Sequence, residues 1–129
     1  MKTIYGTIIA VKLGNRLLLL KRREGVWEFP KGKFERYNHT IRTTAERELR
    51  EETGLKINEM KYIGSIKRVD GEKVYIGQAY IAYSLSDRVK VSEEHKEYRW
   101  VKIDELESYK LEKNTLIFLE VFKDLLNKK

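Results

Sequence analysis

The sequence predicts an α/β fold in which helices cover a mixed β-sheet. Three observations predict it. Short aliphatic and β-branched runs recur along the chain, Gly-containing turn signals join neighbouring runs, and two segments switch to helical periodicity, one central and one near the C-terminus.

Thr3 to Val11 and Arg16 to Lys21 read as two strands of a hairpin, because the Gly-Asn of Leu13-Gly14-Asn15 suits a tight turn. Trp27-Glu28-Phe29-Pro30 alternates apolar and polar residues and stops at the only proline, as a short strand feeding a loop would. From Thr40 to Thr53 the pattern is helical. Thr40 suits the N-cap, Ile41, Ala45 and Leu49 recur at i, i+4 and i+8, and Gly54 supplies the stop before Leu55 returns to the core. Tyr62 to Val69 and Val74 to Tyr83 flank Asp70-Gly71, a hairpin signal. Tyr98 to Ile103 reads as a further strand, followed by a helical start at Asp104-Glu105-Leu106. The last element, Leu116 to Leu126, places Leu116, Leu119, Phe122, Leu125 and Leu126 on one face, which should close the core.

A length of 129 residues fits one domain spanning 1–129. With 41% hydrophobic and 36% charged residues and a single proline, the composition is that of a globular chain rather than a disordered one. The absence of cysteine rules out disulfides and thiolate metal sites. No apolar run is long enough for a bilayer span or a signal peptide, so a cytoplasmic location without membrane partners is expected. A net charge of +7 favours an anionic partner, although solubility alone would also account for it. High charge without cysteine is also the composition reported for thermophiles.

The central helix carries the chemistry. Glu46, Glu48, Glu51 and Glu52 crowd into seven residues, and like charges at i,i+4 repel by a few tenths of a kcal/mol. At about 100° per residue, Glu48 and Glu52 lie one turn apart with Glu51 beside them, while Ala45 and Leu49 turn to the core. Three carboxylates on one patch suit a hard divalent cation such as Mg2+, or Mn2+, which takes oxygen ligands and is commonly shared with substrate phosphates. Lys31 and Lys33 add positive charge where phosphates would lie. The same residues also fit a solvated face laced by the i,i+4 pairs Glu46–Arg50 and Arg47–Glu51.

The ordered whole favours the first reading, because it resembles the Nudix hydrolase family, whose signature is G-x5-E-x7-R-E-U-x-E-E-x-G-U with U aliphatic. Arg47-Glu48-Leu49-Arg50-Glu51-Glu52-Thr53-Gly54-Leu55 matches the second half at every fixed position, so the box spans about residues 32–55. The first half departs: Gly32 to Arg47 is one residue too long, and the earlier glutamate falls on Asn38 or His39, for which Glu35 could substitute. The resemblance implies an α/β/α sandwich and hydrolysis of a nucleoside diphosphate linked to another moiety. It makes Glu48, Glu51 and Glu52 metal ligands, with Glu48 also a candidate base and Arg47 orienting the cluster. Lys31, Gly32, Lys33 and Arg22 then become candidate substrate contacts, although Lys21-Arg22-Arg23 could equally be an exposed strand end.

Ser92-Glu93-Glu94-His95-Lys96-Glu97-Tyr98-Arg99-Trp100-Val101 is similar to a run in asymmetrical diadenosine tetraphosphate hydrolases, which also share Pro30-Lys31-Gly32. Pro-Lys-Gly-Lys occurs as well in messenger-RNA decapping and diphosphoinositol polyphosphate members. By alignment Glu94 is the extra carboxylate, a metal ligand or the general base, with Glu93 and Glu97 as alternatives. His95 would fix that loop and Trp100 would be core. Tyr75, Tyr80 and Tyr83 are either base-stacking or packing residues, and alignment favours Tyr80. The resemblance thus points to cleavage of diadenosine tetraphosphate to ATP and AMP. Removal of pyrophosphate from an RNA 5′ end, nucleoside triphosphate pyrophosphatase activity, and a non-catalytic nucleotide- or RNA-binding module are the alternatives.

Overall fold

The computed structural model describes residues 1–34 and 40–128, so Glu35, Asn38 and His39 lie outside the described residues. Strands β1 (Lys2–Leu13), β2 (Arg16–Arg22), β3 (Trp27–Glu28) and β4 (Lys31–Lys33) precede helix α1 (Ile41–Thr53). Strands β5 (Ile57–Asp70), β6 (Lys73–Ser84) and β7 (His95–Lys102) follow, then a short 3₁₀ helix (Ile103–Ser108) and α2 (Lys113–Leu126).

The sheet runs β3-β2-β1-β6-β5, with β4 also on β1 and β7 on β2. It is mixed, because β1 pairs with β6 in parallel along its length while the other pairs are antiparallel. Both faces are covered, which explains the unbroken Leu17-Leu18-Leu19-Leu20 run in β2. Leu17 and Leu19, with Ile8 and Ala10, pack under α2 against Phe118, Phe122 and Leu126. Leu18 and Leu20, with Ile9 and Val11, pack under α1 against Ala45 and Leu49. The layers are therefore α/β/α.

Local signals set the element ends. The Thr40 hydroxyl accepts from Thr43 N at 2.9 Å, and Gly54 closes α1 at φ 68°, where a side chain would be strained. In the β5–β6 hairpin Asp70 pairs with Lys73, so the loop is Gly71-Glu72, one residue later than the Asp-Gly signal implies. Gly71 sits at φ 61°, in the left-handed region that glycine enters without strain.

Three expectations change. The β1–β2 hairpin pairs only at Lys12–Leu17 and Leu13–Arg16, because segment 27–33 enters between the diverging strands. In α2 the seam is Phe118, Phe122 and Leu126, while Leu116 and Leu125 are exposed at its edges. In α1 Ile41 is exposed, and the buried face is Thr44, Ala45, Leu49, Glu52 and Thr53.

Candidate active site

The site begins where β1 and β2 part. Glu28 pairs with Leu20 on β2, and three residues later Lys31 to Lys33 pair with Ile8 to Gly6 on β1. Gly6 makes this possible, since a β-carbon there would stand 2.6 Å from the Gly32 carbonyl oxygen. The consequence is a carboxylate, Glu28, held 5% exposed between two sheet edges.

Helix α1 lies beside β4 and brings its own acids. Glu52 is 4% exposed, and its Oε2 accepts from Lys31 N at 3.2 Å. Glu48 rests against Gly32, whose missing side chain leaves the space: a β-carbon there would sit 2.7 Å from Glu48 Oε2. Gly32→Ala should therefore displace the Glu48 carboxylate. Because a flexible chain end yields, stability should fall by no more than about 1 kcal/mol, while turnover drops at least about tenfold. Parallel measurement of kcat and Tm checks this, and equal losses in both would contradict it.

Glu51 is exposed and turned to Arg47, whose guanidinium lies 3.5 Å from Glu51 Oε1 and 3.4 Å from Glu48 Oε1. The three carboxylates expected on one patch thus divide, with Glu48 lining the cleft, Glu52 buried behind it and Glu51 beside Arg47. Glu94 and Glu93 line the cleft from the segment before β7.

Residue 28 was not singled out by its sequence, yet it joins the acidic floor. Its Oε2 accepts from His95 Nε2 at 2.8 Å, both side chains being buried. Because a carboxylate oxygen accepts, Nε2 is the donor of this pair, and among the described residues Nδ1 is buried without a hydrogen-bond partner. The β2–β7 register slips by one residue between Lys21 and Arg22, beside His95, as bulges near functional sites do. Glu28, Glu52 and His95 present ligand-type atoms within 4.8 Å of one another.

Burial foremost, and then the charges of Glu48, Glu28 and Glu94, push the Glu52 carboxyl up to about 9 from its ordinary 4.5, against the pull of the Lys31 N–H. Among the described residues Glu28 Oε1 is buried without a hydrogen bond, with Arg22 at 3.5 Å and Lys31 at 3.9 Å. A floor of mutually repelling buried carboxylates fits a hard divalent cation, whose charge would reverse the upward shift.

The cleft above this floor has a volume of about 770 Å³. Arg22, Arg23, Lys33 and Arg47 give it a basic rim, with Glu24 between them. Its far wall is Ile4, Arg68, Tyr75 and Asn114, where Arg68 Nε donates to Asn114 Oδ1 at 2.7 Å. Burial raises the Tyr75 hydroxyl to about 12. Tyr80, the expected stacking residue, is instead buried under α1 beside Leu49 and packs edge-on against Tyr62 at 5.5 Å. Strand alternation sends residues 75 and 80 to opposite faces of the sheet, so Tyr75 is the tyrosine of β6 that meets the cleft.

Lys31 also departs from a simple phosphate contact. Its ammonium lies 3.5 Å from Glu112 Oε2 and 3.9 Å from Glu28 Oε1. Glu28, Arg68, Asn114 and Glu112 were not picked out from sequence. Only Glu28 carried a signal, as an acid flanked by Trp27 and Phe29.

The α/β/α sandwich thus sets an acidic floor under a basic rim. The chain belongs to the NUDIX family, whose domain profile matches residues 4–123. A MutT NUDIX hydrolase from Burkholderia pseudomallei superposes with a TM-score of 0.82 at 26% identity, covering 93% of this chain and 98% of that one. The MutT protein of Methanosarcina mazei Go1 superposes with a TM-score of 0.81 at 28% identity, covering 98% and 97%. Bacillus subtilis (strain 168) YtkD, provisionally named an 8-oxo-dGTP diphosphatase, is 34% identical over 74 residues, 57% of this chain and 46% of YtkD. The chain spans less than half the length of the curated relatives it matches. Family members generally use divalent metals, in keeping with the carboxylate and histidine group here. Among the described residues, no helix is long and apolar enough to cross a membrane.

Proposed function

We propose that the chain hydrolyses a phosphoric anhydride bond of a nucleoside polyphosphate, using Mg2+ or Mn2+ held at Glu48 and Glu52 with Glu51 and Glu94 nearby. The observation that carries this is the buried Glu52, lifted to about 9 by desolvation and by Glu48, Glu28 and Glu94 beneath a basic cleft. When bound, such an ion neutralises phosphate oxygens and lowers the pKa of a water. Glu48 and Glu94 both line the cleft and are the candidate acceptors of the water's proton. Arg22 and Lys33 on the rim offset the charge that builds on the phosphate oxygens, with Arg23 beside them. Arg47 orients Glu48 and Glu51 through its two ion pairs.

For substrate, we favour a nucleoside triphosphate cleaved to the monophosphate and pyrophosphate. The MutT names of the similar structures and the diphosphatase name of YtkD support it. The diadenosine polyphosphate reading rests on residues 92–101 and on Pro30-Lys31-Gly32, and two residues of the first run have internal work. His95 donates to Glu28 and Trp100 Nε1 donates to Asp87 O at 2.7 Å. The +7 charge keeps the RNA 5′ end as an outcome to test. The test is product analysis with Mg2+ across dGTP, 8-oxo-dGTP, ATP, diadenosine tetraphosphate and triphosphorylated RNA. Fastest release of a nucleoside monophosphate and pyrophosphate from a triphosphate is expected. Faster conversion of diadenosine tetraphosphate to ATP and AMP would restore that substrate. Binding without turnover of any of them would make the protein a nucleotide-binding module.

A further inference from the structure

Lys31 is the residue whose surroundings disagree with its place in the motif. Its side chain does not stand free at the rim. It bridges Glu112 at 3.5 Å and Glu28 at 3.9 Å, and its backbone N–H holds Glu52. Glu112 is itself fixed. As the N-cap of α2 its Oε1 accepts from Thr115 N at 3.0 Å and from the Thr115 hydroxyl at 3.2 Å, and that hydroxyl accepts from Phe29 N at 3.0 Å. A chain of polar contacts therefore runs from α2 through Thr115, Glu112 and Lys31 to Glu28, and ends on His95.

We infer that Glu112 is a positioning residue for the acidic floor: it holds the Lys31 ammonium on the α2 side, so that this cation neither fills the floor nor serves as a phosphate ligand. The physical reason is the arrangement of charges. As placed, the ammonium is shared between Glu112 and Glu28 on one side of the cleft. With the Glu112 charge removed by substitution, the remaining attraction is toward Glu28 and the carboxylates behind it, Glu48 and Glu52. A lysine drawn into that group competes with a divalent cation for the same negative charge. This inference rests on the metal-dependent reading above.

Glu112→Gln separates the charge from the cap, because the amide oxygen can still accept from Thr115 N and α2 keeps its start. Calorimetric titration of the nucleotide-free variant with Mn2+ should give a dissociation constant about tenfold weaker than wild type, the scale of outer-shell changes at metal sites. At saturating Mn2+, KM for the nucleoside triphosphate should stay within about twofold of wild type. Adding Lys31→Met to Glu112→Gln should bring the Mn2+ affinity back to within about threefold of wild type, which a merely structural role for Glu112 would not produce. Unchanged Mn2+ affinity in Glu112→Gln, a double variant no better than the single one, or a roughly tenfold rise in KM at saturating Mn2+ would each overturn the inference. Wild type that binds Mn2+ yet turns over no polyphosphate would overturn the proposed activity instead, leaving the affinity comparison intact.

Discussion

Glu52→Gln is expected to lower turnover by about a hundredfold or more, since it removes one of the charges that would face the cation and its bound water. The same substitution should stabilise the metal-free protein. In wild type the folded-state pKa of Glu52, about 9, lies above its ordinary 4.5, so folding favours the protonated carboxyl. Its contribution to stability is complete below about pH 4.5 and is lost progressively as pH rises toward 9. That loss is on the order of several kcal/mol. Glutamine stays neutral, so the metal-free variant should show a flatter stability profile across this window and a higher Tm at pH 8.5. A divalent cation should raise the wild-type Tm more at pH 8.5 than at pH 6, because its ligand must first lose a proton. The variant should show little of that gain. Thermal melts with and without Mg2+ at both values decide it. A variant less stable than wild type at pH 8.5 without metal would show that Glu52 is held ionised by interactions stronger than those of Lys31 N–H.

Glu28→Ala carries the second large effect, and here stability and activity should fall together. The residue is buried against His95, and its removal leaves the imidazole N–H without a partner as well as a cavity between β2 and β4. The cost should be about 2–3 kcal/mol in chemical denaturation. Arg22 and Lys31 lose a shared counter-ion at the same time. Glu28→Gln distinguishes the two contributions. Its amide oxygen can still accept from His95, so stability should stay within about 1 kcal/mol of wild type, while activity should fall about 10–100-fold through the altered charge of the floor. Full activity in Glu28→Gln would reduce residue 28 to a structural support for β7.

Much of the fold was legible along the chain because its signals are local. Thr40 and Gly54 bound α1 through contacts made within a few residues, and Gly14 and Gly71 sit at φ 62° and 61° in their turns. The pattern Arg47 to Leu55 likewise fixed which carboxylates share the helix and that Glu48 and Glu52 stand one turn apart. Helical periodicity also foretold that Ala45 and Leu49 of α1, and Phe122 and Leu126 of α2, face the core. It did less well at the edges of helices, where Leu116, Leu125 and Ile41 are apolar yet exposed, since a helix offers more apolar stripe than the sheet beneath it can cover.

The site is a different matter, because its contacts are between residues far apart in sequence. Glu28 meets His95 across 67 positions, Lys31 meets Glu52 across 21, and Arg68 meets Asn114 across 46. A strand's alternation tells which residues share a face, but not what lies over that face. So alternation could not rank Tyr75 against Tyr80, and the alignment that favoured Tyr80 did not foresee that α1 lies over it while the cleft lies beside Tyr75. By itself the sequence determined the α/β class, the caps, the turns and the acid-rich helix, all set by interactions within a turn or a hairpin. Only the tertiary structure decided that β1 and β2 part around residues 27–33, burying Glu28 and bringing Glu112 within reach of Lys31, because the burial and charge that define those residues come from strands and helices packed around them.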